Sequence, residues 1–366
     1  MIVLTCFSKD FFTSLIKDNL LHKNPEILEF FKNTLLNDSV YNLGDKEEFQ
    51  KHFVNFIDKL KNDSTQKRTV DFLNFFLKNS KWHTISLKHE SLKRLKNSFL
   101  DKNLDLDFFF VSEKEKREIN ENNIIDCRKI MASGNKILKE ISKKSFQALE
   151  INIRKNQKYD DLIIRKEFNT FKKTFQKLAT IASRIIICDR YIPDNLIFFD
   201  KRTKKIKDNN FKYDYHNTLK FFDDEIFSCS LDRENFECKI FSILSRNSKK
   251  QLDSTNVIKY KKELENFINI LKKNKGYIHI KSDAFWKLWH RRYIFFFKNR
   301  DLDISKDNLV KFIDYDTGFD FIKKNPTDIA EYDFIPGHMQ HYEQKLEGRL
   351  RELIDSKDFI AFQKSA

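Results

Sequence analysis

The stretch Ile185-Ile186-Ile187-Cys188-Asp189-Arg190-Tyr191 decides the fold. Three consecutive isoleucines mark a strand buried on both faces, of the kind found inside α/β sheets. Polar residues at the exit of such a strand stand where open α/β sheets gather ligands. Upstream, residues 171–184 combine lysines with helically spaced Phe171, Phe175 and Leu178, so a helix leads into the strand. About a hundred residues later the pattern returns as Trp289-His290-Arg291-Arg292-Tyr293-Ile294-Phe295-Phe296-Phe297, followed by Asp316-Thr317-Gly318-Phe319-Asp320.

Outward from this core, strands alternate with helical patterns. Strands are expected over 185–192, 238–244, 277–281 and 292–297, with shorter ones over 310–313 and 319–322. Residues 196–199 and 211–213 flank the 201–210 turn as a hairpin. Helices are expected over 127–149, 160–183, 215–221 and 256–273. This alternation predicts an α/β sandwich rather than an all-β fold or a bundle. The first 125 residues read as mixed α/β, with strands over 2–6, 83–88 and 106–112 and helices over 9–35, 46–62 and 66–79. Asp63-Ser64 caps the last of these. The polar run 112–123 reads as a boundary. The expected division is therefore a mixed α/β domain over 1–125, an α/β domain over 126–335 and a helical, charge-rich tail over 336–366.

The 366 residues include 38 Phe, ample for a core, and only 6 Gly and 4 Pro, which argue against a Gly-rich nucleotide-binding loop. No Walker A, GxGxxG, GxSxG or kinase signature is present, which disfavours ATPase, dehydrogenase and α/β-hydrolase chemistry. No apolar run reaches the roughly 18–20 residues of a membrane span, and the N-terminus lacks the pattern of a signal peptide. The five cysteines (6, 127, 188, 229, 238) form no CxxC pair and read as buried thiols of a cytoplasmic protein. No cofactor is expected.

The net charge of +15 is uneven: residues 128–184 hold fifteen Lys/Arg against five acids. A second basic cluster, Lys201-Arg202-Thr203-Lys204-Lys205-Ile206-Lys207, follows at the hairpin tip. Such concentration attracts polyanions, so DNA or RNA is the expected partner. Lys172, Lys173, Lys177, Arg202, Lys204 and Lys205 are the candidate backbone contacts. Lys-rich solvated faces are also common where codon usage is AT-rich.

On an extended strand His290 and Arg292 share a face. An imidazole beside a cation suits a phosphodiester: the His as nucleophile or acid–base, the cation on non-bridging oxygens. Competing patterns are weaker. His279-Ile280-Lys281 lacks an acid at a useful spacing. His338 and His341 would share a helix face at a metal-compatible spacing, yet read as surface histidines. Asp105, Asp107 and Asp126 would be the acids of a metal-dependent nuclease. Trp286 and Trp289 could stack bases or pack in the core.

The Asp-Arg-Tyr-Ile strand exit, the later His-Arg-Arg-Tyr-Ile and the Thr-Gly-Phe-Asp tail resemble phospholipase-D-like domains. The resemblance is to the degenerate type found at the C-terminus of MIT-domain proteins and in bacterial defence-type proteins. It covers roughly residues 165–325, matching Asp189/Tyr191, His290/Arg292 and Gly318/Asp320, and implies that Asp189, Arg190, His290 and Arg292 converge on one cleft, with Asp189 orienting the imidazole and Asp320 entering from the closing segment. It implies a metal-independent phosphodiesterase or nuclease, or an effector of a defence system with further protein subunits. The sequence departs from the catalytic pattern: Arg292 stands where Lys is usual, and no His-x-Lys occupies the first half. One site per chain implies that a catalytic form draws its second His from a homodimer. A non-catalytic module that binds nucleic acid or protein and recruits a separate effector is the alternative, and so is a metal-dependent nuclease using the N-terminal acids.

Overall fold

The computed structural model describes residues 3–17, 19–35, 40–83, 106–118, 124–146, 161–196, 198–199, 206–207, 210–232, 235–244, 254–271, 275–282, 292–298, 309–315, 319–320, 322–324, 332–334, 339–341 and 359–363. The chain divides into two compact units, Met1–Ala148 and Leu149–Ala366.

In the first unit, β1 (Val3–Phe7), β2 (Val40–Leu43), β3 (Trp82–His83), β4 (Phe108–Phe110) and β5 (Ile124–Ile125) form a wholly parallel sheet in the order β3-β2-β1-β4-β5. Its helices include α1 (Lys9–Lys17), α2 (Leu20–Lys23), α3 (Pro25–Leu35), α4 (Lys46–Leu60), α5 (Lys67–Asn79), α6 (Glu113–Glu118) and α7 (Cys127–Phe146). The phenylalanines explain this core. Phe7 stacks on Phe110 with centroids 4.5 Å apart and meets Phe76 edge-on at 5.2 Å. Phe12 touches Phe49, Phe53 and Phe76, so β1, β4, α1, α4 and α5 share one aromatic cluster. Aromatic contacts of this geometry add to simple area burial. The Asp45 and Asp63 side chains accept backbone N–H groups at the next helical turns, as caps do.

The unit boundary falls at Ala148 rather than at residue 125, because Ile130, Ile137 and Ile141 of α7 belong to the N-terminal core. The polar run 112–123 is correspondingly no linker: it contains α6 and leads into β5 of the same sheet.

In the second unit, seven strands run in the order β15-β12-β11-β6-β9-β10-β16. They are β6 (Arg184–Cys188), β9 (Glu237–Leu244), β10 (Lys275–Ser282), β11 (Arg292–Phe297), β12 (Leu309–Tyr315), β15 (Met339–His341) and β16 (Phe359–Gln363). Strands β6, β9 and β10 are parallel; β11 runs antiparallel to β6, β12 to β11, β15 to β12 and β16 to β10. The triple isoleucine is central and fully buried, as its composition requires. The basic leading helix α8 (Asp161–Thr180) turns Phe171 and Phe175 inward, and Phe175 meets Phe296 of β11 at 5.6 Å. Helix α9 (Ile192–Leu196), α10 (Asn210–Phe221), a π turn over Phe222–Ile226, a 3-10 turn over Phe227–Cys229 and α11 (Ser254–Ile268) complete the described helices of this unit. The end of α11 presses on β10, where Gly276 leaves room for Ile268 and Leu271.

Four expectations need correction. The strand expected over 185–192 stops at Cys188, and Ile192 opens α9, with Pro193 in the first turn where its missing N–H costs nothing. The hairpin pairs Phe198–Phe199 (β7) with Ile206–Lys207 (β8), while residues 211–213 lie in α10. Phe319-Asp320 form a bend, and the short strand is Ile322–Lys324 (β13), paired with Tyr332–Phe334 (β14). The tail is not wholly helical, for Met339–His341 and Phe359–Gln363 are the two edge strands of the large sheet.

Candidate functional site

Asp189 follows β6 and is locked there by β9. Its N–H donates to the Phe241 carbonyl at 3.1 Å, and its own carbonyl accepts the Ser242 hydroxyl. The side chain is fully buried. One carboxylate oxygen accepts the Tyr191 N–H at 2.8 Å, and the other accepts the Phe319 N–H at 2.6 Å. Because Tyr293 pairs with Cys188, the antiparallel register carries Arg292 opposite Asp189, and its Nε lies 3.6 Å from the carboxylate. Burial pushes the carboxyl up to about 7, against the opposing pull of Arg292 and the Phe319 N–H; the charge of Asp320 pushes the same way as burial.

The two guanidiniums share one ring. Arg190 lies 4.2 Å and Arg292 4.7 Å from the centre of Tyr191, within cation–π range. Partial burial, and then the charge of Arg292, lower the pKa of Arg190. Behind them Tyr215 and Tyr315 are buried, and their phenols are raised by burial and by Asp189. Asn195 donates to the Tyr215 hydroxyl at 2.7 Å.

Phe319 and Ile322 are each held by a hydrogen bond to a distant element. Phe319 is bound by Asp189, and the Ile322 N–H donates to Thr218 of α10 at 3.0 Å. The Phe319 ring packs on Phe222 of the π turn at 5.3 Å. Asp320, half-buried, stands between these anchors.

The structure thus brings Asp189, Arg190, Arg292 and Asp320 together. On α8, Lys172 is ion-paired with Glu225 at 2.8 Å, whereas Lys173 is exposed and Lys177 half-buried. His290, Arg202, Lys204, Lys205, Gly318, Trp286 and Trp289 lie outside the described residues, as do Asp105 and His338. His279 and Lys281 are on β10, two strands away from β6. His341 is on a strand, so the expected helical pairing with His338 does not hold. Tyr215, Thr218 and Tyr315, which sequence reasoning passed over, are the buried support of the site.

Of the N-terminal acids, Asp107 and Asp126 are described and are engaged separately. Asp107 precedes β4 and accepts the Leu4 N–H at 2.8 Å, while Asp126 follows β5, accepts the Lys129 N–H at 2.7 Å and pairs with Lys116 at 2.7 Å. β4 and β5 are parallel neighbours, so a residue before one and a residue after the other stand at opposite strand ends. At the crevice between β1 and β4, where such a sheet reverses its strand order, Glu115 accepts the Ser8 hydroxyl at 2.6 Å and the Ser112 N–H at 2.7 Å. Among the described residues no three His, Cys, Asp or Glu side chains are disposed to hold a metal ion, and no helix is long and apolar enough to cross a membrane. No protein-family model, curated protein or solved structure matches this chain.

Proposed function

We propose that the chain is a nucleic-acid-directed protein whose second unit holds a backbone phosphate at Arg190 and Arg292. The observation that carries this reading is the gathering of two guanidiniums on the Tyr191 ring beside the buried Asp189. Guanidinium forks suit phosphate oxygens, and their ring partner limits the side-chain freedom lost on binding. The basic surface of α8, with Lys173 exposed, supplies the long-range attraction. Asp189 is here a positioning residue: its oxygens are already engaged, and it ties together the exit of β6, the start of β11 and Phe319. The resemblance to defence-type phospholipase-D-like domains extends the proposal to an effector of such a system.

A second reading is metal-independent phosphodiester cleavage. It is favoured by His290, two residues before Arg292 in sequence, as nucleophile. Fluorescence anisotropy with labelled single-stranded DNA and RNA tests the binding reading. Arg190→Ala with Arg292→Ala is expected to weaken binding at least about tenfold, and unchanged affinity would refute it. Cleavage in EDTA that is lost in His290→Ala, with binding retained, would establish the second reading.

A further inference from the structure

We propose that Glu225 is a built-in competitor for nucleic acid on α8: its carboxylate holds Lys172 until a backbone phosphate takes its place. The inference rests on the nucleic-acid reading above. Along α8, Lys166 and Lys173 are exposed, and Lys172 and Lys177 are half-buried. Phe171 and Phe175 are fully buried on the other side, so the helix turns a basic face outward. Such a face suits a polyanion. Within it Lys172 already has an anion, for its Nζ lies 2.8 Å from the Glu225 carboxylate.

The acid is kept there by its own backbone. The Glu225 carbonyl accepts the Gln176 side-chain amide at 3.0 Å and the Cys229 thiol at 3.5 Å. Gln176 stands one helical turn beyond Lys172, so α8 grips Glu225 at both its carboxylate and its carbonyl. The π turn that carries Glu225 is packed in its own right. The Phe222 ring meets Phe175 at 5.5 Å, Phe227 at 5.6 Å and Phe319 at 5.3 Å. Phe319 in turn is bound to Asp189, so the acid and the guanidinium pair belong to one packed frame. When a phosphate takes Lys172, the displaced carboxylate cannot retreat with its backbone and stays beside the ligand. The contact at Lys172 is therefore an exchange of one anion for another, with a residual repulsion set against it. Glu225 thus limits what α8 holds by itself and leaves affinity to depend on Arg190 and Arg292.

The test is a double-mutant cycle on affinities for labelled single-stranded DNA and RNA, read by anisotropy at low salt. Glu225→Gln keeps the size of the side chain and leaves the carbonyl contacts in place, and it should bind more tightly than wild type. Removing an acid favours a polyanion wherever the acid stands, and that general part persists in a Lys172→Ala background. The exchange is read as the excess: the gain from Glu225→Gln should be about two- to fivefold larger with Lys172 in place than in Lys172→Ala. Equal gains in the two backgrounds, or no gain with Lys172 in place, would overturn the proposal. Arg190→Ala with Arg292→Ala separates it from the reading beneath it. If that variant loses binding and the cycle shows no excess, the exchange alone fails. If it binds as wild type does while the excess is present, the phosphate site is refuted and the exchange stands. A wild-type protein with no measurable affinity for either probe overturns both.

Discussion

Arg184 donates to Glu237 at 2.5 Å across the neighbouring ends of β6 and β9, with both side chains almost out of water. Lys239 stands 3.6 Å from the same carboxylate. This ionic cluster occupies the end of β6 opposite Asp189, so stability and ligand contact can be perturbed separately along one strand. Removing one partner of a buried pair leaves an uncompensated charge. Glu237→Ala is expected to cost about 3–5 kcal/mol in urea unfolding, with the anion site intact in the folded fraction. A loss below about 1 kcal/mol would mean that water reaches the pair.

The raised carboxyl of Asp189 makes stability depend on pH. Its value is about 7 in the folded chain, against an ordinary 3.8, so the folded state takes up a proton that the unfolded state releases. The contribution is therefore full below about pH 4 and is lost as the pH rises towards 7, with a slope of at most about 1.4 kcal/mol per pH unit. Asp189→Asn should flatten this slope while lowering stability overall, because one backbone N–H loses its acceptor. Urea midpoints for both proteins between pH 4 and 8 measure it; identical slopes would exclude Asp189 as the source.

The lysines of α8 are not equivalent. Lys173 is exposed, whereas the charge of Lys172 is offset by Glu225. Lys173→Glu should weaken binding across sequences and lower the log–log salt slope by about one unit, while Lys172→Ala should change it less. Salt titrations of oligonucleotide affinity distinguish them, and equal effects would remove the ion pair from the account.

All five cysteines are buried, and burial raises the thiols of Cys6, Cys188 and Cys238. The native protein should resist maleimide, and all five should react after denaturation. Rapid labelling of Cys188 would displace it from the interior of the large sheet.

The strands flanking the site were legible because apolar runs such as Ile185–Ile187 and Ile294–Phe297 have no other stable place than a sheet interior. Val40–Leu43 and Ile124–Ile125 were missed, since two to four residues carry no period. Met339–His341 and Phe359–Gln363 were read as helix. Their charge-rich surroundings favour helix locally, and their conformation is fixed by partners far away in sequence. At the site, Asp189, Arg190 and Arg292 announced themselves as polar residues at strand ends. Thr218 and Tyr215 did not, being single polar residues inside a helix. The Phe319 anchor acts through its backbone N–H, which no side-chain pattern records.

The pairing of β16 with β10 has a consequence for synthesis. β10 is complete at Ser282, yet the strand that covers its outer side begins about 75 residues later. At ordinary translation rates that interval lasts roughly 4–15 s, during which the row of N–H and C=O groups along β10 has no neighbour of its own. A nascent chain in that state presents an adhesive edge, open to a second nascent chain or to a chaperone. Expression yield, more than melting temperature, should therefore respond to substitutions in Phe359–Gln363.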